Sequence, residues 1–86
     1  MADGKTLKVS VISPEATLFE GEAPSVIAPA FDGEVGILPM HAPMVTTLGA
    51  GVLRVGDGGA RFQVEGGFLQ VVDDVVRVVT ERASRL

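Results

Sequence analysis

Hydrophobic and polar positions alternate through the second half of the chain, and this alternation predicts four short β-strands. The predicted strands span residues 52–55, 60–65, 68–72 and 75–80. The linkers Gly66-Gly67 and Asp73-Asp74 have the two-residue length that closes β-hairpins, and both residue types reach the positive φ that such turns need. The glycine-rich residues 56–59 predict a four-residue loop between the first two strands.

These turns can be tested against one another, because each turn sets the register of its hairpin. Carried through all three turns, the alternation places only apolar side chains on one face of the four strands. The members of this apolar face are Leu53, Val55, Ala60, Phe62, Val64, Leu69, Val71, Val76 and Val78. A one-residue slip in any hairpin would interrupt the face with Arg, Gln or Glu. We therefore predict a sheet whose apolar face is covered by a second layer.

The opposite face of these strands holds mostly Arg, Gln and Glu, and the register sets Arg54 directly opposite Arg61. It also carries an apolar cluster, formed by Phe68, Val72, Val75 and Val79. Two interpretations of the cluster stay open. It is either a set of scattered surface residues, which needs no explanation, or a patch that another subunit covers.

The first half of the chain supplies the second layer. Apolar and polar residues alternate from Leu7 to Val11, which predicts a half-buried strand. Two further strands are predicted at 16–20 and 23–28, and Pro29 ends the second of them. Two layers of short antiparallel strands make a β-sandwich.

Length and composition agree with this fold. Val, Ile and Thr make up 22 of the 86 residues, and Gly and Pro make up 16, which favours strands joined by tight turns. We predict an all-β chain, a small β-sandwich of short antiparallel strands in one domain spanning 1–86. No C-terminal helical domain is expected, and residues 81–86 are predicted to form a short tail.

Charge and hydropathy exclude several classes of partner. The net charge of −4 disfavours a phosphate backbone, so we expect no nucleic acid. Residues 35–53 lack Asp, Glu, Lys and Arg, but Pro39, Pro43 and several glycines rule out a spanning helix there. Because Asp3 precedes any apolar run, no signal peptide is expected. We predict no direct membrane insertion: the chain is expected to be a soluble cytoplasmic protein, or one held to a membrane only through a partner.

Catalytic chemistry is not visible in the sequence. The chain contains no Cys and only one histidine, His41, and no serine lies in a nucleophile-elbow motif. The acids lack calcium-loop spacing, and the glycines of 56–59 lack the Lys of a phosphate-binding loop. We therefore predict no catalytic site, metal or cofactor. A lipoyl or biotinyl carrier domain is also excluded, because Lys5 and Lys8 both lie near the first strand rather than at a hairpin tip.

Residues 31–51 form the most unusual segment, because they are largely apolar and rich in turn-forming residues. Those residues include Gly33, Gly36, Pro39 and Pro43. We predict a rigid loop with little secondary structure, which is expected to dock on a partner. His41 is expected at an exposed bend, where the simpler alternative is a turn histidine that binds the backbone.

From residue 6 to about residue 80, the chain resembles the epsilon subunit of F-type ATP synthase. The most specific similarity lies in Asp32-Gly33-Glu34-Val35-Gly36-Ile37-Leu38-Pro39, His41-Ala42-Pro43 and Leu48-Gly49-Ala50-Gly51. Further similarity lies in 7–14, 18–21 and 65–71. The chain departs from the family at Met40, which replaces the glycine that usually precedes the histidine.

The resemblance implies a flattened β-sandwich and a non-catalytic rotor function. In this family the sandwich lies at the foot of the central stalk, against the gamma subunit, and touches the polar loops of the membrane c-ring. The resemblance thus implies a subunit that links gamma to the c-ring and couples proton transport to ATP synthesis. It also implies a peripheral location at the cytoplasmic face of the inner membrane, or of an equivalent energy-transducing membrane.

The resemblance and the apolar cluster together predict two contact surfaces, one for the c-ring and one for gamma. On the c-ring side, the resemblance indicates Glu34, Val35, Gly36, His41, Ala42 and Pro43. On the gamma side it indicates Gly51, and we assign the apolar cluster of Phe68, Val72, Val75 and Val79 to the same contact. Glu34 could pair with a basic group of the ring loops, and His41 could donate or accept a hydrogen bond there.

Many family members carry a C-terminal helical hairpin that can block rotation, and in some members it also binds ATP. This chain stops at Leu86, where that hairpin would begin. We therefore expect a natural short form that couples rotation without epsilon-type inhibition and has no nucleotide site.

Two other function classes remain as alternatives. A stand-alone β-sandwich module that binds a small ligand would need a concave pocket with a few polar groups, and the sequence offers no aromatic platform beyond four Phe. An enzyme is the third possibility, which only an observed turnover would support.

Overall fold

The computed structural model describes residues 5–56 and 58–86, and every regular element in them is a β-strand. The strands are β1 (Leu7–Ile12), β2 (Thr17–Ala23), β3 (Val26–Ala30), β4 (Gly33–Ile37), β5 (Met44–Thr47), β6 (Ala50–Val55), β7 (Arg61–Val72) and β8 (Val75–Arg85). They form one sheet in the order β2-β1-β8-β7-β6-β3-β4, with β5 paired to β7 beside this path. The all-β prediction is confirmed. Asp3, on which the signal-peptide prediction rests, and residue 57 of the predicted loop at 56–59 lie outside the described residues.

The long strands β7 and β8 contribute to two layers. Near their shared turn, residues 68–71 of β7 pair with β5 on one side, and residues 68–72 pair with 75–79 of β8 on the other. Farther from the turn, residues 61–65 pair with β6 and with 82–85 of β8. We call β2, β1, β5 and the turn-proximal halves of β7 and β8 the first layer. The second layer contains β4, β3, β6 and the turn-distal halves, and both layers bury one shared core.

The layers meet at a corner in Gly66-Gly67. Leu69 lies seven positions after Phe62, and an odd offset would place the two side chains on opposite faces of a regular strand. Both are nevertheless fully buried in the same core. The strand therefore rotates between them, and it does so where the two glycines have φ values of 74° and 102°.

A short connection closes the sandwich at the end far from this corner. Ala23 pairs with Leu7 in the first layer, and Val26 pairs with Val55 in the second layer. Only residues 24–25 separate these two pairings along the chain. The ends of the two layers that lie far from the corner are therefore held together.

All nine residues of the predicted apolar face contribute to the core, but the prediction that they share one layer is wrong. Residues 61–65 and 68–72 lie in different layers, and the first half of the chain contributes strands to both layers. One of the three turns behind the predicted apolar face is also wrong. Eight of its nine members are buried, and Ala60 packs half-buried against them. The Asp73-Asp74 hairpin is confirmed, and both residues have positive φ, 50° and 62°. Gly66-Gly67 instead lies within the continuous strand β7. The predicted core residues are still correct, because a two-residue hairpin and this corner both direct Val64 and Leu69 into the same core.

Several boundaries differ from the prediction for tertiary reasons. Residues 31–51, predicted to be a loop with little secondary structure, instead contain β4, β5 and the start of β6. β4 and β5 are edge strands, where Gly and Pro nearby are tolerated. Pro29 lies inside β3 rather than after it. Residues 81–85 continue β8 instead of forming a tail, since β7 supplies their partner. Arg54 does lie opposite Arg61. β1 pairs with β8 in parallel, whereas the other described strand pairs are antiparallel.

Candidate partner-binding surfaces

The first candidate surface is the end loop, which we define as residues 38–43 between β4 and β5. It follows Ile37, which is fully buried, so the loop starts from a fixed point in the core. The side chains of Leu38 and Met40 nevertheless project into solvent, with exposed fractions of 63% and 74%. The end loop therefore presents apolar groups on a rigid base.

One hydrogen bond attaches the end loop to the turn between β7 and β8, and another closes a turn within the loop itself. The Met40 N–H donates to Oδ1 of Asp74 at 2.6 Å, and the His41 N–H donates to the carbonyl of Leu38 at 3.2 Å. The backbone carbonyl of Asp74 in turn accepts from the Lys8 N–H at 2.8 Å. The end loop leaves β4 of the second layer, and its hydrogen bond to Asp74 ties it to the first layer.

Met40 has a φ of 72°, which is the left-handed region that favours glycine. The family pattern has glycine at this position, so Met40 replaces glycine where the backbone conformation favours it. The turn is formed with Met40 in place, so the chain tolerates a side chain there.

His41 lies at a bend, as expected, but its ring is engaged locally. Its Nδ1 lies 2.7 Å from the carbonyl oxygen of Ala42. Because a carbonyl oxygen only accepts, Nδ1 carries the hydrogen in this contact, and Nε2 is the acceptor of the neutral ring. The side chain is half-buried, while Ala42 and Pro43 are exposed. The backbone-bound alternative is therefore realised, and it orients Nε2 without excluding a contact.

The other predicted ring-side residues lie on the edge strand β4. Glu34 and Gly36 are exposed and point to the same side of the strand, and Val35 between them packs against the core. A Cβ atom on Gly36 would have no atom within 4 Å. The six predicted residues therefore divide into a strand group and a loop group, with no hydrogen bond between Glu34 and His41 in the described part of the chain.

The second candidate surface is the apolar cluster, which the structure does bring together. Phe68 lies opposite Val79, and Val72 lies opposite Val75, on the outer face of the first layer. The exposed fractions of Phe68, Val72 and Val75 are 41%, 39% and 39%. The two apolar pairs lie on one face near the β7–β8 turn, with the Gln70–Arg77 pair between them.

Gly51 lies elsewhere, in β6 of the second layer, opposite the buried residue Val64. A Cβ atom at this position would lie 2.9 Å from the Cβ of Pro29. Close packing between β3 and β6 thus accounts for a glycine here. Its role in a partner contact stays a prediction.

Sequence reasoning missed four residues that the structure adds to these surfaces. Leu38 and Met40 extend the end loop, and their position beside Pro39 in an uncharged stretch was an available signal. Val45 is 68% exposed and lies opposite Gln70, beside the apolar cluster. The sequence identifies Asp74 only as a turn residue, because its contact with residue 40 spans 34 positions along the chain.

Other kinds of site find little support in the described residues. They contain no cluster of three or more His, Asp or Glu side chains able to hold a metal ion. No described helix is long and apolar enough to cross a membrane. A surface depression of about 490 Å³ is lined by strand residues that include the exposed Glu65, Glu81 and Arg82. It is not the concave, mostly apolar pocket that is typical of a small-molecule site.

Comparison with known proteins extends across most of the chain. The family model for the β-sandwich domain of the ATP synthase delta/epsilon chain matches residues 6–86. The ATP synthase epsilon chain of Leptospira borgpetersenii is 48% identical over 80 residues, which are 91% of this chain and 63% of that protein. The epsilon chain of Desulforamulus reducens is 45% identical over 83 residues, or 94% and 63%. This chain thus spans somewhat less than two thirds of these relatives.

Solved structures share the fold. The cryo-EM structure of Euglena gracilis mitochondrial ATP synthase, with OSCP, F1 and c-ring, contains a chain that matches with a TM-score of 0.84 at 24% identity. The match covers 99% of this chain and 58% of that one. A chain in the central stalk and c-ring of Tetrahymena thermophila mitochondrial ATP synthase matches with a TM-score of 0.77 at 13% identity, covering 93% and 66%. The β-sandwich prediction is confirmed.

Proposed function

We propose that this chain, which belongs to the ATP synthase delta/epsilon chain family, is a non-catalytic subunit of the central stalk that links the gamma subunit to the c-ring. The observation that carries the proposal is the family match over residues 6–86, which includes both candidate surfaces. In this function the subunit holds gamma to the ring, so that rotation driven by protons reaches the catalytic head as torque.

The end loop and the edge strand β4 are the proposed contact with the c-ring. Glu34 is exposed and can accept hydrogen bonds from a basic group on a ring loop. Because Nδ1 of His41 already binds the Ala42 carbonyl, Nε2 is the ring nitrogen left for a partner, as an acceptor in the neutral ring or a donor in the protonated ring. Leu38 and Met40 add apolar contact area, which a polar loop alone would not provide.

The apolar cluster is the proposed contact with gamma. Its side chains lie on strands whose opposite faces form the core, so the surface is rigid and needs little reordering on binding. An apolar strip with Arg77 and Gln70 between its members has the mixed character of a protein interface. The end loop is bonded to Asp74 in the β7–β8 turn, which Val72 and Val75 flank, so the loop part of the ring contact lies near the proposed gamma contact.

The proposal also assigns a location and a mode of attachment. The subunit is peripheral and binds through its partners at the cytoplasmic face of the inner membrane, or of an equivalent energy-transducing membrane. Its effect on the motor is coupling, the efficiency with which proton flow is converted into ATP synthesis.

A reconstitution with purified gamma and c-ring tests the proposal. The chain is mixed with gamma alone, with the c-ring alone and with both, and each mixture is separated by size and analysed for the bound chain. We expect binding to gamma, and tighter binding when the ring is also present, because the two contacts then act together.

A chain that assembles with neither partner would contradict the proposal. A small molecule that raises the melting temperature in the absence of any subunit would instead favour the ligand-binding alternative. A variant with its core disrupted, Val76→Asp, is the matched negative control, because Val76 is fully buried and both surfaces depend on the folded sandwich.

A further inference from the structure

We infer that Asp74 is a positioning residue that holds the end loop in shape by binding the backbone of Met40. The purpose we assign to this contact, presentation of the loop to the c-ring, rests on the proposed function. The contact itself is a feature of the folded chain, and it can be tested without any partner.

Met40 is held in an unfavourable conformation without compensation from burial. Its φ of 72° is one that residues with a side chain adopt rarely, and its own side chain is 74% exposed. A strained residue persists only where its surroundings impose the conformation. The surroundings of Met40 must therefore supply a specific interaction.

The Asp74 carboxylate supplies that interaction. Its Oδ1 accepts the Met40 N–H at 2.6 Å, a short bond to a charged acceptor, which is stronger than a bond between neutral groups. By comparison, the bond from the His41 N–H to the Leu38 carbonyl within the loop is 3.2 Å long. The contact with Asp74 is thus the shorter of the two bonds, and it is the one that ties the loop backbone to another element.

Asp74 is itself well fixed. It is the second residue of the tight β7–β8 turn, with a φ of 62°, and its carbonyl accepts the Lys8 N–H of β1 at 2.8 Å. Its side chain therefore extends from a backbone that two strands hold in place. A carboxylate on such a base can impose a conformation on a neighbouring loop.

Hydrogen exchange at the Met40 amide tests the inference directly in the 86-residue chain. The variant Asp74→Gly removes the carboxylate, and glycine suits the positive φ at this position. Asp73→Gly is the matched control, because Asp73 also has positive φ and its carboxylate makes no described hydrogen bond to the end loop. We expect Asp74→Gly to speed Met40 exchange roughly three- to tenfold and Asp73→Gly to leave it unchanged. The Val76 amide, in the core, reports whether each variant is folded.

Unchanged Met40 exchange in Asp74→Gly, or an equal acceleration in both variants, would overturn the inference. A second measurement uses binding to the assembled gamma and c-ring. We expect Asp74→Gly to weaken binding several-fold in the parent chain but much less in a Met40→Gly background, where the left-handed conformation costs little.

An equal loss of affinity in both backgrounds would also overturn the positioning role. The proposed function fails separately, if the parent chain binds neither gamma nor the ring while the Met40 amide still responds to Asp74→Gly as expected.

Discussion

Gly67 lies so close to Val79 on the neighbouring strand that a Cβ atom on the glycine would overlap the Val79 carbonyl oxygen. The same Cβ would lie 2.7 Å from the Cα of Thr80. Gly67 also has a φ of 102°. The corner that joins the two layers therefore depends on the absence of a side chain at this position.

Replacing Gly67 with Ala is expected to lower the free energy of unfolding by at least about 3 kcal/mol, because backbone overlap adds to an unfavourable φ. Urea denaturation of the parent and variant chains measures the difference. Gly58→Ala separates the two causes, since Gly58 has a φ of 76° but no atom within 4 Å of its Cβ position. That control should cost about 1–2 kcal/mol. Equal losses for the two variants would show that packing at the corner is not the reason.

Phe62→Ala is expected to destabilise the sandwich by about 3–5 kcal/mol, since the ring is fully buried. The ring packs edge-on against Phe19, with centroids 6.4 Å apart, and the Arg85 guanidinium lies 5.5 Å from its centroid. Arg85→Ala removes only the exposed cation and should cost less than about 1 kcal/mol. Thermal denaturation followed by far-ultraviolet circular dichroism checks both values. A larger loss for Arg85→Ala than for Phe62→Ala would contradict this account.

The double variant Val72→Ser and Val75→Ser is expected to weaken binding to gamma roughly tenfold or more, because it removes apolar contact area from the proposed interface. Both residues are 39% exposed in the free chain, so its stability should change little. Val52→Ser is a matched control on the outward side of β6 in the second layer. Affinity is measured by titrating labelled chain with gamma. An equal loss from the control would rule out a specific role for the apolar cluster.

Combined Glu34→Ala and His41→Ala substitutions are expected to reduce proton pumping coupled to ATP hydrolysis in membranes that carry the assembled motor. Glu34 is exposed and His41 is half-buried, so the free energy of unfolding should change by less than about 1 kcal/mol. Glu20→Ala, an exposed acid on β2, is the control for charge. If pumping is the same in the double variant as in the parent, the assignment of these two residues to the c-ring contact is wrong.

Gly51→Ala distinguishes a packing role from a contact role. Its Cβ would meet the Cβ of Pro29 at 2.9 Å, and Pro29 is itself buried, so we expect a loss of about 1–3 kcal/mol in stability. Affinity for gamma should then fall only in proportion to the unfolded fraction. Unchanged stability together with a clear loss of gamma binding would instead favour a direct contact at Gly51.

The alternation of apolar and polar residues determined which side chains form the core, because burial follows the two-residue period of a strand whatever the strand pairs with. It also indicated the Asp73-Asp74 turn, because the linker has two residues and Asp reaches positive φ more readily than most residues. The specific run around His41 determined the family. These features depend on neighbours along the chain, so they can be read without coordinates.

Only the tertiary structure decided how Gly66-Gly67 is used. Two glycines with positive φ suit a hairpin and a corner equally, and both bury the same side chains, so the local pattern cannot separate them. The length of β7 and the extension of β8 to Arg85 follow from that choice, because the continuous strand β7 supplies the partner of residues 82–85. The parallel pairing of β1 with β8 is likewise a tertiary contact that no local pattern specifies. The contact between Asp74 and Met40 was decided in the same way, because a hydrogen bond between residues 34 positions apart exists only once the layers have closed.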